Sequence, residues 1–258
     1  MIYDLQKASI LKRISAWLLD AILLAVLAVG FASGLSALVD YDGHMEKLEA
    51  YITGYEQEFG IDPEMTEEKF NAMTEEEQKA YEAACAAADE AVLADTEAMR
   101  TYSILANLSM VVITLSILLG IVLLEFVVPM LLKNGQTVGK KIFGIAVMRT
   151  SGVRVNGVCI FIRAVLGKYA VETMIPVFMV LMLLFGMIGS TAFVVMLVLL
   201  LIQLLLVIIT KTNSLIHDKL ADTVTVDMAS QMIFDTEEAL LEYKMRVAAE
   251  QAAKDPYA

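Results

Sequence analysis

Three long apolar blocks, Ser15–Val39, Ile104–Leu132 and Met174–Thr210, constrain this chain more than any other feature. Each exceeds the roughly 20 residues an α-helix needs to cross the bilayer hydrocarbon. Within that layer every backbone polar group must be satisfied internally, which leaves the helix as the spanning form for blocks of this length. The chain is 58% hydrophobic, against about 45–50% in ordinary soluble domains, and the excess lies in the blocks. An all-α membrane protein embedded in a lipid bilayer is therefore expected.

The net charge of −12 is unevenly spread. Between Asp40 and Arg100 stand 18 acidic residues against Lys47, Lys69, Lys79 and Arg100, so this stretch carries −14 and the rest of the chain +2. An acidic insert sits in a mildly basic membrane protein. That insert argues against nucleic acid, or an anionic bilayer surface, as a partner on its side.

Orientation follows the Lys and Arg of short loops, which favour the cytoplasm. Lys7, Lys12 and Arg13 precede the first block; Lys133, Lys140, Lys141, Arg149 and Arg154 follow the second; Lys211 and Lys219 follow the third. Residues 133 and 211 share a side only if the chain between them crosses twice, with a turn at Gly186, Gly189, Ser190 and Thr191. The third and fourth spans are then about 157–186 and 191–210, the third starting in an interfacial or tilted stretch near Val158–Val171 from which Arg163 and Lys168 snorkel. The apolar run after Asp20 extends for about 19 residues, so a retained first span is expected rather than a cleaved signal.

The expected organisation is a cytoplasmic N-terminus and first span over 1–39 and an extracytoplasmic acidic helical insert over 40–102. A second span follows over 103–132, then a cytoplasmic loop over 133–156, the third and fourth spans over 157–210, and a cytoplasmic tail over 211–258. Both termini lie in the cytoplasm in this scheme, and Cys85 and Cys159 fall on opposite sides, where they cannot pair.

Within the insert Met45, Leu48, Ile52, Tyr55 and Phe59 form a narrow helical seam ended by Gly60 and Asp62-Pro63. Thr66-Glu-Glu-Lys and Thr74-Glu-Glu-Glu have the form of helix N-caps. A helix from Glu75, with Tyr81, Ala84, Ala88 and Val92 on one face, is expected to run on into the second span. The insert is thus read as an antiparallel helical hairpin, with a plain solvated spacer as the open alternative. In the loop, Ile145-Ala-Val-Met and Val153-Arg-Val flank Thr150-Ser-Gly152 and predict a short β-hairpin, to which Thr223-Val-Thr-Val226 adds as a third strand. A helix from about Glu237 to Lys254 closes the chain.

Gly135-Gln-Thr-Val-Gly139-Lys140-Lys141 superficially matches a phosphate-binding loop. Its glycine spacing is one residue short, Lys141 replaces the magnesium-binding hydroxyl, and no strand precedes it, so nucleotide binding is not expected. Three segments taken together carry a different likeness. They are Arg13-Ile-Ser-Ala16-Trp-Leu-Leu-Asp20, the run from Gly135 through Gly144 to Val147, and His217-Asp218-Lys-Leu-Ala221-Asp-Thr223-Val. In this order they resemble the RDD family of bacterial membrane proteins, named for one Arg and two Asp, which map to Arg13, Asp20 and Asp218. The resemblance covers nearly the whole chain apart from the insert, longer than the family's usual connection, and the C-terminal helix. It implies a bacterial cytoplasmic membrane location and, as proposed for some members, cation/proton antiport.

The residues themselves suggest a charged layer. Arg13 and Asp20, seven apart, share a helix face, with Asp20 roughly 10 Å further in at 1.5 Å per residue. Glu125 and Gln203 each lie eight residues before a basic loop residue, roughly 12 Å in. Arg163 reaches similar depth if the third span starts at Gly157. One polar residue from each helix then falls at one level. Ionisable groups facing lipid cost about 2.5–3.5 kcal/mol each on insertion scales, so they are expected to turn inward and pair. Asp20 and Glu125 are expected to meet Arg163, with Arg13 and Asp218 near the mouth. Pro129 and Pro176 free the carbonyls of Glu125 and Glu172 from their helical donors, and freed carbonyls beside carboxylates suit a cation.

Two function classes stay open. In one, the layer of Arg13, Asp20, Glu125, Arg163, Glu172, Gln203 and Asp218 serves a transporter of monovalent cations and protons, which four helices would build as a homo-oligomer. In the other, the charges lock the packing of a non-transporting subunit that recruits another membrane protein through its insert or its C-terminal helix. An intramembrane enzyme is not expected: there is no HExxH, GxSxG or paired-Asp motif. Nor is a cofactor or metal site, since the 16 methionines lie mostly in apolar spans and read as packing.

Overall fold

The computed structural model describes residues 5–132, 134–186 and 188–254; Lys133, one of the basic residues that set the expected topology, lies outside them. Four helical stretches are long and apolar enough to cross a membrane: Ile10–Leu38, Thr96–Leu132, Gly157–Leu184 and Thr191–Ile209. The protein is an all-α membrane protein with a small two-stranded sheet. It divides into two compact units, Met1–Phe31 with Thr114–Ala258, and Ala32–Ile113.

The second unit contains the acidic insert. Helix α1 (Ile10–Leu38) leads into α2 (Tyr41–Glu58), a short α3 (Glu67–Asn71) and α4 (Glu75–Ala94), and α2 packs along α4. Gly60, at φ 67°, turns the chain after α2, a left-handed conformation that glycine adopts at no steric cost. Thr66 and Thr74 cap α3 and α4, and Glu77 closes a capping box on the backbone of Thr74. Tyr55 donates to Asp95 Oδ2 at 2.9 Å, and Tyr81 donates to the Asp62 carbonyl at 3.3 Å. The insert is a folded helical pair, not a bare spacer. One expectation needs correcting: α4 does not run on into the second span. Asp95 breaks the helix at ψ 109° and restarts it, its carboxylate accepting from the backbone N–H of Glu97 and Ala98, because Asp at this position competes with the helical ladder and favours an N-cap.

The second span comprises α5 (Thr96–Ile121), a π-helical segment π1 (Val122–Val127) and α6 (Val128–Leu132). The third is likewise composite: α8 (Gly157–Phe161), a π-helical segment π2 (Ile162–Met174) and α9 (Ile175–Leu184). It is helical from Gly157 onward. An i→i+5 ladder winds more broadly and rises less per residue than an α-helix, which shortens the stretch from 157 to 184 relative to a pure α-helix. Both π segments end just before a proline, Pro129 or Pro176, where the usual i→i−4 donor is missing and a wider register is the local remedy. After α9 the chain turns at Gly186, φ 66°, and enters α10 (Thr191–Ile209).

Between the second and third spans lie α7 (Val138–Ile142) and β1 (Ile145–Arg149); after α10 come α11 (Ile216–Leu220), β2 (Thr223–Asp227) and α12 (Glu237–Lys254). Strand β1 pairs antiparallel with β2, from Ile145 opposite Asp227 to Arg149 opposite Thr223. The hairpin arm at 153–155 forms isolated bridges, Met148 to Arg154 and Val153 to Phe234, beyond the turn at Gly152, and not a strand of the sheet. Ala146, Met148, Val224 and Val226 bury one face of the sheet. On the other, Ile145 packs on Ala8 and Ala16, and Val147 on Val155 and Ile160. Thr223–Asp227 pairs with β1 along five residues, whereas Val155 of the other arm packs its side chain against Val147. Lys7 bridges Val226, Ala8 N–H donates to the Thr225 carbonyl at 3.1 Å, and Lys12 pairs with Asp227 at 2.5 Å. The start of α1 is thereby tied to β2.

Candidate functional site

Asp20 is the first anchor. Its side chain is buried against α7, where Thr137 Oγ1 donates to Oδ2 at 2.5 Å and the Gly139 N–H donates to Oδ1 at 2.8 Å. Free N–H groups and the peptide dipoles favour an anion at such a helix start. The phosphate-loop look of Gly135–Lys141 is thereby explained: the anion it receives is the chain's own carboxylate. Gly139 is required here, because an added Cβ would run into the Ala16 carbonyl oxygen and the Asp20 carboxylate.

Next to it Lys140 is buried between two carboxylates. Its Nζ lies 3.6 Å from Glu125 Oε2 and 3.9 Å from Asp20 Oδ2, and donates to Thr137 Oγ1 at 3.2 Å. Burial pushes the Lys140 ammonium down and Glu125 pulls it up; Lys168 and Arg163 lower it further, Asp20 raises it, and it ends at about 8. On its other side Glu125 accepts from Lys168 Nζ, whose side chain is 16% exposed. The partner of Lys168 is thus a carboxylate of the second span.

The third cluster centres on Asp218, 1% exposed. Arg163 Nη1 donates to Oδ1, while Arg13 Nη2 and the Leu215 N–H donate to Oδ2 at 3.2 and 3.3 Å. Burial alone raises this carboxyl, but Arg163, followed by His217 and Arg13, outweighs it and holds Asp218 well below the usual carboxylate range. Arg13 Nη1 also donates to the Asn213 carbonyl at 2.5 Å, and Arg163 to Thr223 Oγ1 at 2.8 Å. His217 lies between charges, with Nε2 3.1 Å from Arg163 Nη2 and Nδ1 2.7 Å from Glu172 Oε2. Burial pushes the imidazole below its ordinary range against the pull of Asp218, so it is neutral at pH 7. Arg163 can only donate, which assigns the ring proton to Nδ1, facing Glu172. Glu172 also accepts from the His217 N–H at 3.0 Å and bonds Gln203, whose Oε1 accepts from the Ile216 N–H at 3.3 Å.

All seven residues anticipated from sequence therefore lie in the first unit, in a network that balances four cations (Arg13, Lys140, Arg163, Lys168) against four carboxylates (Asp20, Glu125, Glu172, Asp218). The pairing differs from the expected one. Arg163 bonds Asp218, while Asp20 and Glu125 flank Lys140. Asp218 is fully buried, while Arg13 is partly buried and lines a cavity, with side chains 1% and 14% exposed. Asp218 reaches Arg163 because α11 packs against π2, with Gly167 allowing the close approach: an added Cβ there would run into His217 Cα and Cβ. Sequence reasoning missed Lys140, Lys168, His217, Thr137 and Thr223. Lys140 and Lys168 were read only as orientation and snorkelling charges, although a buried Glu125 required a cation nearby.

A cavity of about 400 Å³ reaches this network. Ile10, Ile14, Trp17, Leu204 and Val207 line its apolar side, and Asp20, Lys140, Arg163 and Lys168 its polar end. Among the described residues no group of three or more His, Cys, Asp or Glu is placed to hold a metal ion. No curated protein and no solved structure matches the chain. The RDD family model matches residues 7–222, a range that includes all eight charged residues of the network just described, and the chain belongs to the RDD family of membrane proteins.

Proposed function

We propose that the protein exchanges a monovalent cation for protons across a bacterial cytoplasmic membrane, with both termini in the cytoplasm and Asp20, Glu125 and Lys140 as the exchanging set. The observation that carries this reading is the placement of one buried lysine between two carboxylates at the end of a cavity. The network is electrically balanced, so an added cation must displace a positive charge. Lys140 supplies one by releasing its proton to the cavity, while the carboxylate oxygens of Asp20 and Glu125 take the cation. Charge is the same before and after, which keeps the desolvated cluster from bearing a net charge it cannot sustain. Arg13, Arg163 and Asp218 act as the fixed frame, because guanidinium groups do not release protons.

Everted vesicles holding a proton gradient test the reading. Sodium, lithium or potassium is expected to dissipate the gradient with the normal protein. The response is expected to fall about 100-fold in Asp20→Asn, Glu125→Gln and Lys140→Arg, compared at equal folded abundance. The pH dependence has a definite sign. Below about 8 Lys140 keeps its proton and opposes the cation; above it the proton leaves, with Glu125, Asp20, Lys168 and Arg163 as the facing charges. Exchange is expected to rise from pH 7 to 9 with a midpoint near 8. Absence of any cation-driven proton movement with the folded normal protein sinks the proposal.

A second reading, a subunit that recruits a partner, is favoured by the folded insert with its capped helices and its net charge of −14. Replacing residues 41–94 by a short linker separates the two. Exchange is expected to persist if the cation reading holds, whereas recovery of a co-purifying protein is lost if the insert recruits one.

A further inference from the structure

We infer that the cavity beside α1 and α10 is a binding site for an anionic phospholipid of the surrounding bilayer, its acyl chain against the apolar wall and its phosphate at Lys140 and Lys168. The volume, about 400 Å³, lies within the 300–1,000 Å³ of ordinary ligand pockets. Its wall is built of exposed side chains on two helices apolar enough to cross a membrane: Ile10, Ile14, Trp17 and Leu204 are 49–61% exposed. A ligand reaching the site from the bilayer therefore has to carry a hydrocarbon chain.

The polar end sets the headgroup's sign. Of the charged groups lining the cavity four are cations, Arg13, Lys140, Arg163 and Lys168, and one is an anion, Asp20. Glu125, Glu172 and Asp218, which balance the network, are not among the lining residues. The two arginines are held by Asp218 and neighbouring acceptors. The two lysines have donors to spare. Each ammonium has three N–H groups; Lys140 makes one direct hydrogen bond, to Thr137, and Lys168 one, to Glu125, among the described residues. The carboxylates near Lys140 stand at 3.6 and 3.9 Å, beyond direct bonding. Buried ammonium donors left without acceptors are costly, and a phosphate diester offers acceptor oxygens with the charge the lining calls for. A zwitterionic headgroup would bring a second cation to the same place.

The site shares its cavity and Lys140 with the exchange proposal, but its test requires no transport, so the two can fail separately. Trp17 is the single tryptophan of the chain and lines the cavity. The purified full chain is reconstituted into vesicles in which a fixed fraction of lipid carries brominated acyl chains, on either phosphatidylglycerol or phosphatidylcholine. Quenching of Trp17 is expected to report a preference for the anionic lipid on the order of fivefold per lysine engaged. It is expected to fall towards parity in Lys140→Gln and in Lys168→Gln. In Val207→Phe, which fills the apolar end and leaves every charge in place, the preference is expected to fall as well. Equal quenching by the two lipids with the normal protein overturns the proposal. So does a preference that survives both lysine substitutions, which would mark a general surface attraction. Reversal of the preference by millimolar inorganic phosphate also overturns it, because the site would then take a free anion rather than a lipid.

Discussion

Asp218→Asn is expected to lose about 3–5 kcal/mol of stability, the usual cost of removing one partner from a buried ion pair. The substitution keeps the shape of the side chain and removes the charge that Arg163 and Arg13 share. Two guanidinium groups, neither able to shed its proton, are then left in a water-poor interior with only neutral acceptors. The loss is expected to show as a fall in thermal midpoint in detergent, followed by Trp17 fluorescence, and as reduced membrane abundance. The pH response of the normal protein has the matching sign. A carboxylate held below its ordinary range contributes stability above its unfolded pKa and loses it as pH falls, so the normal protein is expected to weaken in acid and Asp218→Asn to show a flatter acid limb. An unchanged midpoint in Asp218→Asn would mean that the arginines find other partners and that the cluster is not the lock of the fold.

The second large effect is steric. Gly167→Ala places a methyl group where π2 meets α11, within contact distance of the His217 backbone and Cβ. The clash is with main chain, not with the tip of a flexible side chain, so π2 and α11 must separate. Overpacking of this kind costs about 1–3 kcal/mol, and here the separation also stretches the bonds from His217 to Glu172 and from Asp218 to Arg163. The signature is selective: loss of exchange activity together with a lowered thermal midpoint, whereas Gly30→Ala in α1, where an added Cβ meets nothing, leaves both unchanged. Equal behaviour of the two variants would remove the close helix approach as an explanation for Gly167.

Much of this architecture is legible in the chain, and the limits of that legibility have physical causes. The spans follow from apolar length alone, because the bilayer sets a length that local interactions cannot alter. The N-caps at Thr66 and Thr74 follow from local chemistry. Depth arithmetic likewise places Asp20, Glu125, Arg163 and Gln203 at one level, since rise per residue is nearly constant in a helix. Partner choice was a different matter. Arg163 bonds Asp218, fifty-five residues away, because a five-residue helix after α10 folds back onto π2, and nothing in the periodicity of either segment encodes that return. Lys140 was hidden for a similar reason: in sequence it is one of a cluster of loop cations, and only the capping of α7 by Thr137 with Asp20 turns it inward. The strand pairing does not follow adjacency: Thr223–Asp227 pairs with β1 along five residues, whereas Val155 of the nearer arm packs its side chain against Val147.

The stitching of α1 to the far end of the chain also imposes an order on manufacture. During synthesis the first span enters the membrane carrying Arg13 and Asp20, yet the partners of Asp20 in α7 are more than a hundred residues downstream and those of Arg13 about two hundred. Until the last loop leaves the ribosome, Arg13 of the nascent helix lacks the acceptors it bonds in the folded chain. Only the emergence of residues 213–227 delivers Asp218, the Asn213 carbonyl and the strand to which Lys7 and Lys12 attach. The earliest span is thus the last to be fastened.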